Sequence, residues 1–152
     1  RRLEELGYHL TIETTGYAPW EQADQVFQQM DLILFDMKAM DDRIHRQYTG
    51  RSNRIILENA RQAAQLGYPL VFRVPLMGGI NDTEENITQL AAFCQETGVK
   101  QVEFLPYHRL GENKYRMMGR DYHCKAYAPS LEHRRLLARI LEEKGVEVKI
   151  GK

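Results

Sequence analysis

Short runs in which apolar and polar residues alternate are separated along the chain by longer stretches in which apolar residues recur every three or four positions. The first pattern belongs to strands and the second to helices. His9-Leu10-Thr11-Ile12-Glu13-Thr14 reads as a β-branched strand, and Thr15-Gly16-Tyr17-Ala18-Pro19 as the turn that closes it. Trp20 to Met30 follows as a helix with Trp20, Ala23, Phe27 and Met30 on one side. Asp31 to Lys38 is the second strand, and its apolar residues on both faces predict a strand covered on both sides, as in a parallel sheet.

Met40 to Arg51 is a polar stretch, followed by a helix from Asn53 to Leu66 that stops at Gly67. Pro69 to Leu76 is the third strand, and Gly78-Gly79-Ile80-Asn81-Asp82 is a loop leading into a helix from Thr83 to Thr97, ended by Gly98. Val99 to Pro106 is the fourth strand, and the segment from Tyr107 to Pro129 has no clear period. Ser130 caps a last helix running to Lys144, Gly145 closes it, and Val146 to Ile150 is a fifth short strand. Strand and helix alternate throughout, which predicts right-handed βαβ units around a parallel sheet, either open or part of a barrel. At the other end, Arg1 to Gly7 reads as the last turns of a helix closed by glycine, so the expectation is a chain that begins inside a larger structure.

With 152 residues, the chain has the size of one domain, and folding should bury roughly 68–70% of the surface of the unfolded chain. Acidic and basic residues balance at 21 each, so no net field argues for nucleic acid or a membrane surface as partner. No apolar stretch approaches the roughly 20 residues that span a bilayer. Cys94 and Cys124 lie far apart and in no close metal-ligand spacing. Cys94 sits within a helical pattern and reads as a core residue, while the adjacent His123 and Cys124 carry little signal. This cysteine usage suits a reducing, cytoplasmic setting. Asn86-Ile87-Thr88 matches a glycosylation pattern but falls inside an amphipathic helix, and is read as coincidence.

The chemistry gathers at the strand ends. Leu32, Leu34, Asp36 and Lys38 share one face of the second strand, which therefore runs from apolar to charged as the strand stops. In parallel α/β folds ligands sit beyond the carboxyl ends of the strands. An ordinary ion pair closing a strand would place the same two residues there. Glu13, Thr14, Arg73, Tyr107 and His108 also fall on the last part of a strand or just past one. Acids and cations converging on one rim would hold a molecule bearing both a carboxylate and an amine. Gly78-Gly79 lacks the spacing of a phosphate loop, and serine hydrolase and zinc protease motifs are absent from the sequence.

Five ordered segments carry a more specific signal. They are Glu13-Thr14-Thr15-Gly16-Tyr17; Asp31 to Lys38; Tyr48-Thr49-Gly50 with Asn53 and Leu57-Glu58-Asn59; Arg73-Val74-Pro75-Leu76 with Asn81-Asp82; and Leu105 to Gly111 with Lys114-Tyr115. In this order and spacing the chain resembles the C-terminal part of glycyl-radical-enzyme activating enzymes, the pyruvate formate-lyase activating branch of the radical S-adenosylmethionine (SAM) superfamily. The resemblance implies a partial (β/α)6 barrel, of which this chain supplies about five strands as one domain over residues 1–152, truncated at its N-terminus. It implies SAM and a 4Fe–4S cluster as cofactors, and cleavage of SAM to a 5′-deoxyadenosyl radical that takes a hydrogen atom from a glycine of a partner enzyme such as pyruvate formate-lyase. Flavodoxin or ferredoxin would supply the electron. Asp36, Lys38 and His108 would contact SAM, Thr14 and Arg73 the substrate peptide or its pocket. Glu13, Thr14 and Asp36 would border a monovalent-cation site, although the family has Asp where this chain has Glu13.

The family's CxxxCxxC motif does not occur here, so the cluster ligands are expected upstream and this piece alone is expected to be inactive, with no catalytic residue of its own. Two other readings fit the same rim. Asp36-x-Lys38-x-x-Asp41 matches a DxKxxD pattern of barrel lyases, and a non-catalytic βα scaffold would use the strand-end charges structurally.

Overall fold

The computed structural model describes residues 6–108, 110–119, 121 and 125–151. Its elements follow the order β1 (Thr11–Thr14), α1 (Trp20–Phe27), β2 (Leu32–Asp36), α2 (Asp42–Thr49), α3 (Arg54–Gln65), β3 (Leu70–Leu76), α4 (Glu84–Thr97), β4 (Gln101–Pro106), α5 (Leu110–Met117), α6 (Leu131–Glu142) and β5 (Glu147–Ile150). All four strand pairings are parallel and the spatial order is the sequence order, β1-β2-β3-β4-β5. An unreversed order has no switch point, so the sheet is a barrel wall and not a doubly wound sheet. Among the described residues β1 and β5 are paired on one side only, which leaves the barrel incomplete.

Period-2 alternation decides which face is buried. Ile33 and Phe35 of β2, Phe72, Val74 and Leu76 of β3, and Val102 and Phe104 of β4 point into the helix layer, where each is almost wholly buried. Facing them are Ala23 and Phe27 of α1, Ile56, Ala60 and Ala63 of α3, Ile87, Leu90 and Cys94 of α4, and Leu137 and Leu141 of α6. Ala60 and Ala63 let α3 approach closely enough for the aromatic rings to meet edge to face, from Trp20 through Phe27 and Phe35 to Phe72. The opposite face is different. Leu32, Leu34 and Asp36 are half-buried there, against the expectation of a β2 strand covered on both sides. The helices pack on one side of the sheet and leave the polar side open.

The predicted elements stand with trimmed ends, and two helices are additions. α2 lies within the stretch read as merely polar. Its interior is hydrophilic and among its residues His45 alone is buried, so the apolar period is missing; the start is set instead by Asp41, whose Oδ1 accepts from the amides of Arg43 and Ile44. α5 lies within the segment that had no period. α1 stops at Phe27, short of the expected Met30, although Met30 still packs against the core. Residues 1–5 of the helix end expected over Arg1 to Gly7 lie outside the described residues, as do Arg109 and the His123-Cys124 pair.

Candidate functional site at the strand ends

Arg73 is the centre of the open face. Register places it beside Asp36 on one side and Glu103 on the other, and Glu103 beside Lys149, so the row Asp36, Arg73, Glu103, Lys149 alternates in sign across four strands. The Arg73 side chain is 14% exposed; its Nη1 lies 2.7 Å from Oε1 of Glu13 and its Nε 3.7 Å from Oε2 of Glu103. Nε is beyond hydrogen-bond distance of Glu103, and Nη1, though close to Glu13, is not aligned for a hydrogen bond. The guanidinium is thus held by charge on two flanks while retaining directional donors for something else.

Lys38 and Asp36 form the second feature. Nζ of Lys38 lies 3.6 Å from Oδ2 of Asp36, with the two side chains 31% and 25% exposed. Lys38 is past the end of β2, yet the chain is still aligned with β3 at this point, because the Met37 amide donates to the Arg73 carbonyl at 2.8 Å. A cation and an anion presented side by side match a ligand that bears adjacent carboxylate and ammonium groups.

Thr14 ends β1. Its Oγ1 accepts from the Gly16 amide at 3.0 Å, a local turn that leaves the hydroxyl proton available. Gly16 sits at φ +64, and a Cβ there would fall 2.1 Å from Cζ of Phe35, so only glycine fits between this turn and the core. Asn59 of α3 pins the same turn, its Nδ2 donating to the carbonyls of Gly16 and Ala18. Glu13, Thr14 and Asp36, expected to border a cation, all lie at the ends of the adjacent strands β1 and β2. His108 is exposed beyond the end of β4.

Asp41 bears on the DxKxxD reading. Its carboxylate is engaged as the α2 cap, so the third member of that pattern does not join Asp36 and Lys38 at the rim. Cys94 is buried in α4 against the sheet, and desolvation pushes its thiol up to about 12, which makes it a core residue and not a ligand. Among the described residues no three His, Cys, Asp or Glu side chains cluster as a metal site, and no helix is long and apolar enough to cross a membrane. Asn86 of the glycosylation-like triplet is buried and hydrogen-bonded. A depression of about 740 Å³ runs along α6 past Leu131, Glu132, Arg135 and Leu136, remote in sequence from the rim residues.

Sequence reasoning did not single out Glu103 or Lys149. A charged residue inside an alternating strand is the available signal for both, but only the register sets Glu103 beside Arg73 and Lys149 beside Glu103. Asn53, Asn59 and Asn81 were noted without roles; the structure places all three buried against loop backbone.

No protein-family model matches the chain. It is 34% identical over 148 residues to the trans-4-hydroxy-L-proline dehydratase activating enzyme of Clostridioides difficile, covering 95% of this chain and 49% of that protein. It is 40% identical over 115 residues to the isethionate sulfite-lyase activating enzyme of Nitratidesulfovibrio vulgaris, covering 74% and 37%. The chain therefore spans about half the length, or less, of these relatives. A solved domain of pyruvate-formate lyase-activating enzyme from Bacteroides vulgatus superposes with a TM-score of 0.82 at 30% identity, covering 99% of this chain and 86% of that one.

Proposed function

Because the chain belongs to the glycyl-radical-enzyme activating enzymes, we propose that it supplies the strand-end wall of a SAM site in a radical SAM oxidoreductase that installs a glycyl radical on a partner enzyme. The observation that carries this reading is the Asp36–Lys38 pair, opposite charges 3.6 Å apart on the open face at the end of β2. The methionine end of SAM carries an ammonium and a carboxylate on one carbon. Asp36 takes the ammonium and Lys38 the carboxylate, each by a charge-assisted hydrogen bond. Bound SAM, together with a 4Fe–4S cluster reduced by a flavodoxin or ferredoxin, supplies the hydrogen-abstracting chemistry.

The described residues fit SAM and do not fit the cluster. Three thiolates are needed to leave one iron open, and the buried Cys94 thiol does not qualify. What this chain does is bind and orient. Lys38 and Asp36 fix the methionine end, and His108 closes the same rim after β4. Arg73, steadied by Glu13 and Glu103, offers its donors to the backbone carbonyls of a glycine-bearing peptide, which has no side chain at the reacting residue to grip. Thr14 keeps a hydroxyl proton for the same backbone. Glu13, Thr14 and Asp36 are the residues that would border a monovalent cation, Glu13 and Asp36 from the open face and Thr14 from the strand end beside Phe35. The half-buried Leu34 and the buried Val71 beside them keep water from that part of the face. A free, buried Cys94 is in keeping with the reducing cytoplasm.

Electron paramagnetic resonance tests the reading. The full-length protein containing this segment, given SAM and a reductant, should produce a glycyl-radical signal on a glycyl radical enzyme of the same organism. Asp36→Asn should abolish that signal while leaving the cluster absorbance in place. A full signal from Asp36→Asn would remove Asp36 from the site.

A further inference from the structure

Lys38 lies two residues beyond the end of β2, just past the last bond to β3, the Met37 amide to the Arg73 carbonyl, and the segment carrying it is fixed from behind by three asparagine side chains. Asn81, from the loop after β3, donates through Nδ2 to the Lys38 carbonyl at 2.5 Å and to the Pro75 carbonyl at 2.9 Å, and accepts at Oδ1 from the Met77 amide at 2.7 Å. Asn86 of α4 accepts from the Met40 amide at 2.9 Å and donates to the Asn81 carbonyl at 2.9 Å. Asn53 donates to the carbonyls of Ala39 and Met40 at 3.0 and 2.7 Å. The backbone from the Lys38 carbonyl to the Met40 carbonyl is thus held by carboxamides in place of a strand ladder.

We propose that Asn81 is the positioning residue of Lys38, joining the loops after β2 and β3 into one rigid rim so that the Lys38 ammonium and the Arg73 guanidinium keep a fixed separation. Three features of the chemistry carry this. Asn81 is 1% exposed, so its hydrogen bonds are not exchanged with water. Its partners are two acceptors and one donor, a demand that a carboxamide meets and that a carboxylate or a hydroxyl does not. The two carbonyls it bridges belong to Lys38 itself and to Pro75, which lies on the same strand as Arg73. Asn86 then ties the Asn81 backbone to Met40 and closes the ring on the far side of Lys38. Loop segments otherwise occupy the low-stability end of a fold, and a binding group on one loses affinity to the disorder it must give up.

The proposal rests on the SAM-site reading above, and a double-mutant cycle in the full-length holoenzyme separates the two. SAM affinity is measured by equilibrium dialysis, and thermal unfolding is recorded on the same samples, for Lys38→Ala, Asn81→Ala and the double variant. Asn81→Ala is expected to weaken SAM binding by about tenfold, and the double variant to bind no more weakly than Lys38→Ala, because the clamp acts through the lysine. A residue with a merely structural role would lower the melting temperature and leave affinity within twofold, or add its full effect to that of Lys38→Ala; either result overturns the proposal. Unchanged affinity in Lys38→Ala alone would instead overturn the SAM-site reading, and this inference with it. Should Asn81→Ala fail to fold, Asn86→Ala, which removes the outer link and leaves Asn81 intact, is expected to show the same coupling to Lys38 at smaller size. Failure of both variants to fold counts against the proposal, since the carboxamides would then belong to the fold and not to the placement of Lys38.

Discussion

Arg73 on β3 reaches across β2 to place its Nη1 2.7 Å from Oε1 of Glu13 on β1. The partnership is unequal, because the arginine is mostly buried whereas the Glu13 side chain is 67% exposed. An exposed carboxylate contributes little to stability even at short range, typically about 0–1 kcal/mol. Glu13→Gln should therefore leave the melting temperature nearly unchanged. Arg73→Lys removes the planar fork while keeping the charge, and should weaken binding of a glycine-loop peptide to the full-length protein about tenfold or more. Calorimetric titration of the peptide checks this, and full affinity in Arg73→Lys would show that the fork is not used.

Gly16 couples the Thr14 turn to the core. Its φ of +64 and the 2.1 Å approach to Phe35 mean that alanine brings both backbone strain and overpacking. These add to about 2–5 kcal/mol of destabilisation. Urea unfolding of Gly16→Ala measures it, and a loss below 1 kcal/mol would mean that the turn is free to move away from Phe35.

Asp42 at the start of α2 is a pH-dependent tie. Hydrogen bonds from the Ser52 hydroxyl at 2.6 Å, from Arg46 at 2.7 Å and from the Asn53 amide at 2.9 Å hold its carboxyl well below the usual carboxylate range. A folded value below the unfolded one, about 3.9, means that the stabilisation is complete above the unfolded value. It declines as pH falls toward the folded value and is gone beneath it. Stability of wild type and Asp42→Asn should differ at neutral pH and converge in strong acid; a difference independent of pH would refute the assignment.

Cys94, with its thiol pushed up to about 12 by burial, has almost no thiolate at pH 8. Iodoacetamide should leave it unmodified in the native protein and alkylate it after denaturation, as read by peptide mass mapping. Rapid native alkylation would place Cys94 outside the core.

Much of this architecture could be read from local pattern. The alternation of Ile33 and Phe35 with Leu34 and Asp36 located β2 and its two faces, Thr83 and Ser130 marked helix starts, and Gly67, Gly98 and Gly145 marked helix ends. α2 was hidden because its stability lies in the Asp41 cap and the Asp42 hydrogen bonds, not in an apolar stripe. The rim was legible as residue types and not as partnerships. Asp36 and Lys38 are neighbours in sequence, so their pairing could be seen directly. Arg73 meets Glu13 and Glu103 only through strand register, and Asn81 lies 43 residues from the Lys38 carbonyl it holds. Such contacts become visible only when three separate loops are assembled at one end of the sheet.

The role proposed for Lys38 is to serve a ligand and not the fold. Its pairing with Asp36 is half-exposed at 3.6 Å, a geometry worth about 0–1 kcal/mol to stability. A charge-assisted hydrogen bond to a bound carboxylate is worth about 1.5–3 kcal/mol, or roughly ten- to hundred-fold in affinity. SAM binding to Lys38→Ala in the full-length, cluster-loaded protein, with thermal unfolding of the same sample, is the most direct measurement. A roughly ten- to hundred-fold loss of SAM affinity with a nearly unchanged melting temperature is expected, and undiminished affinity with a large fall in melting temperature would contradict a ligand role for Lys38.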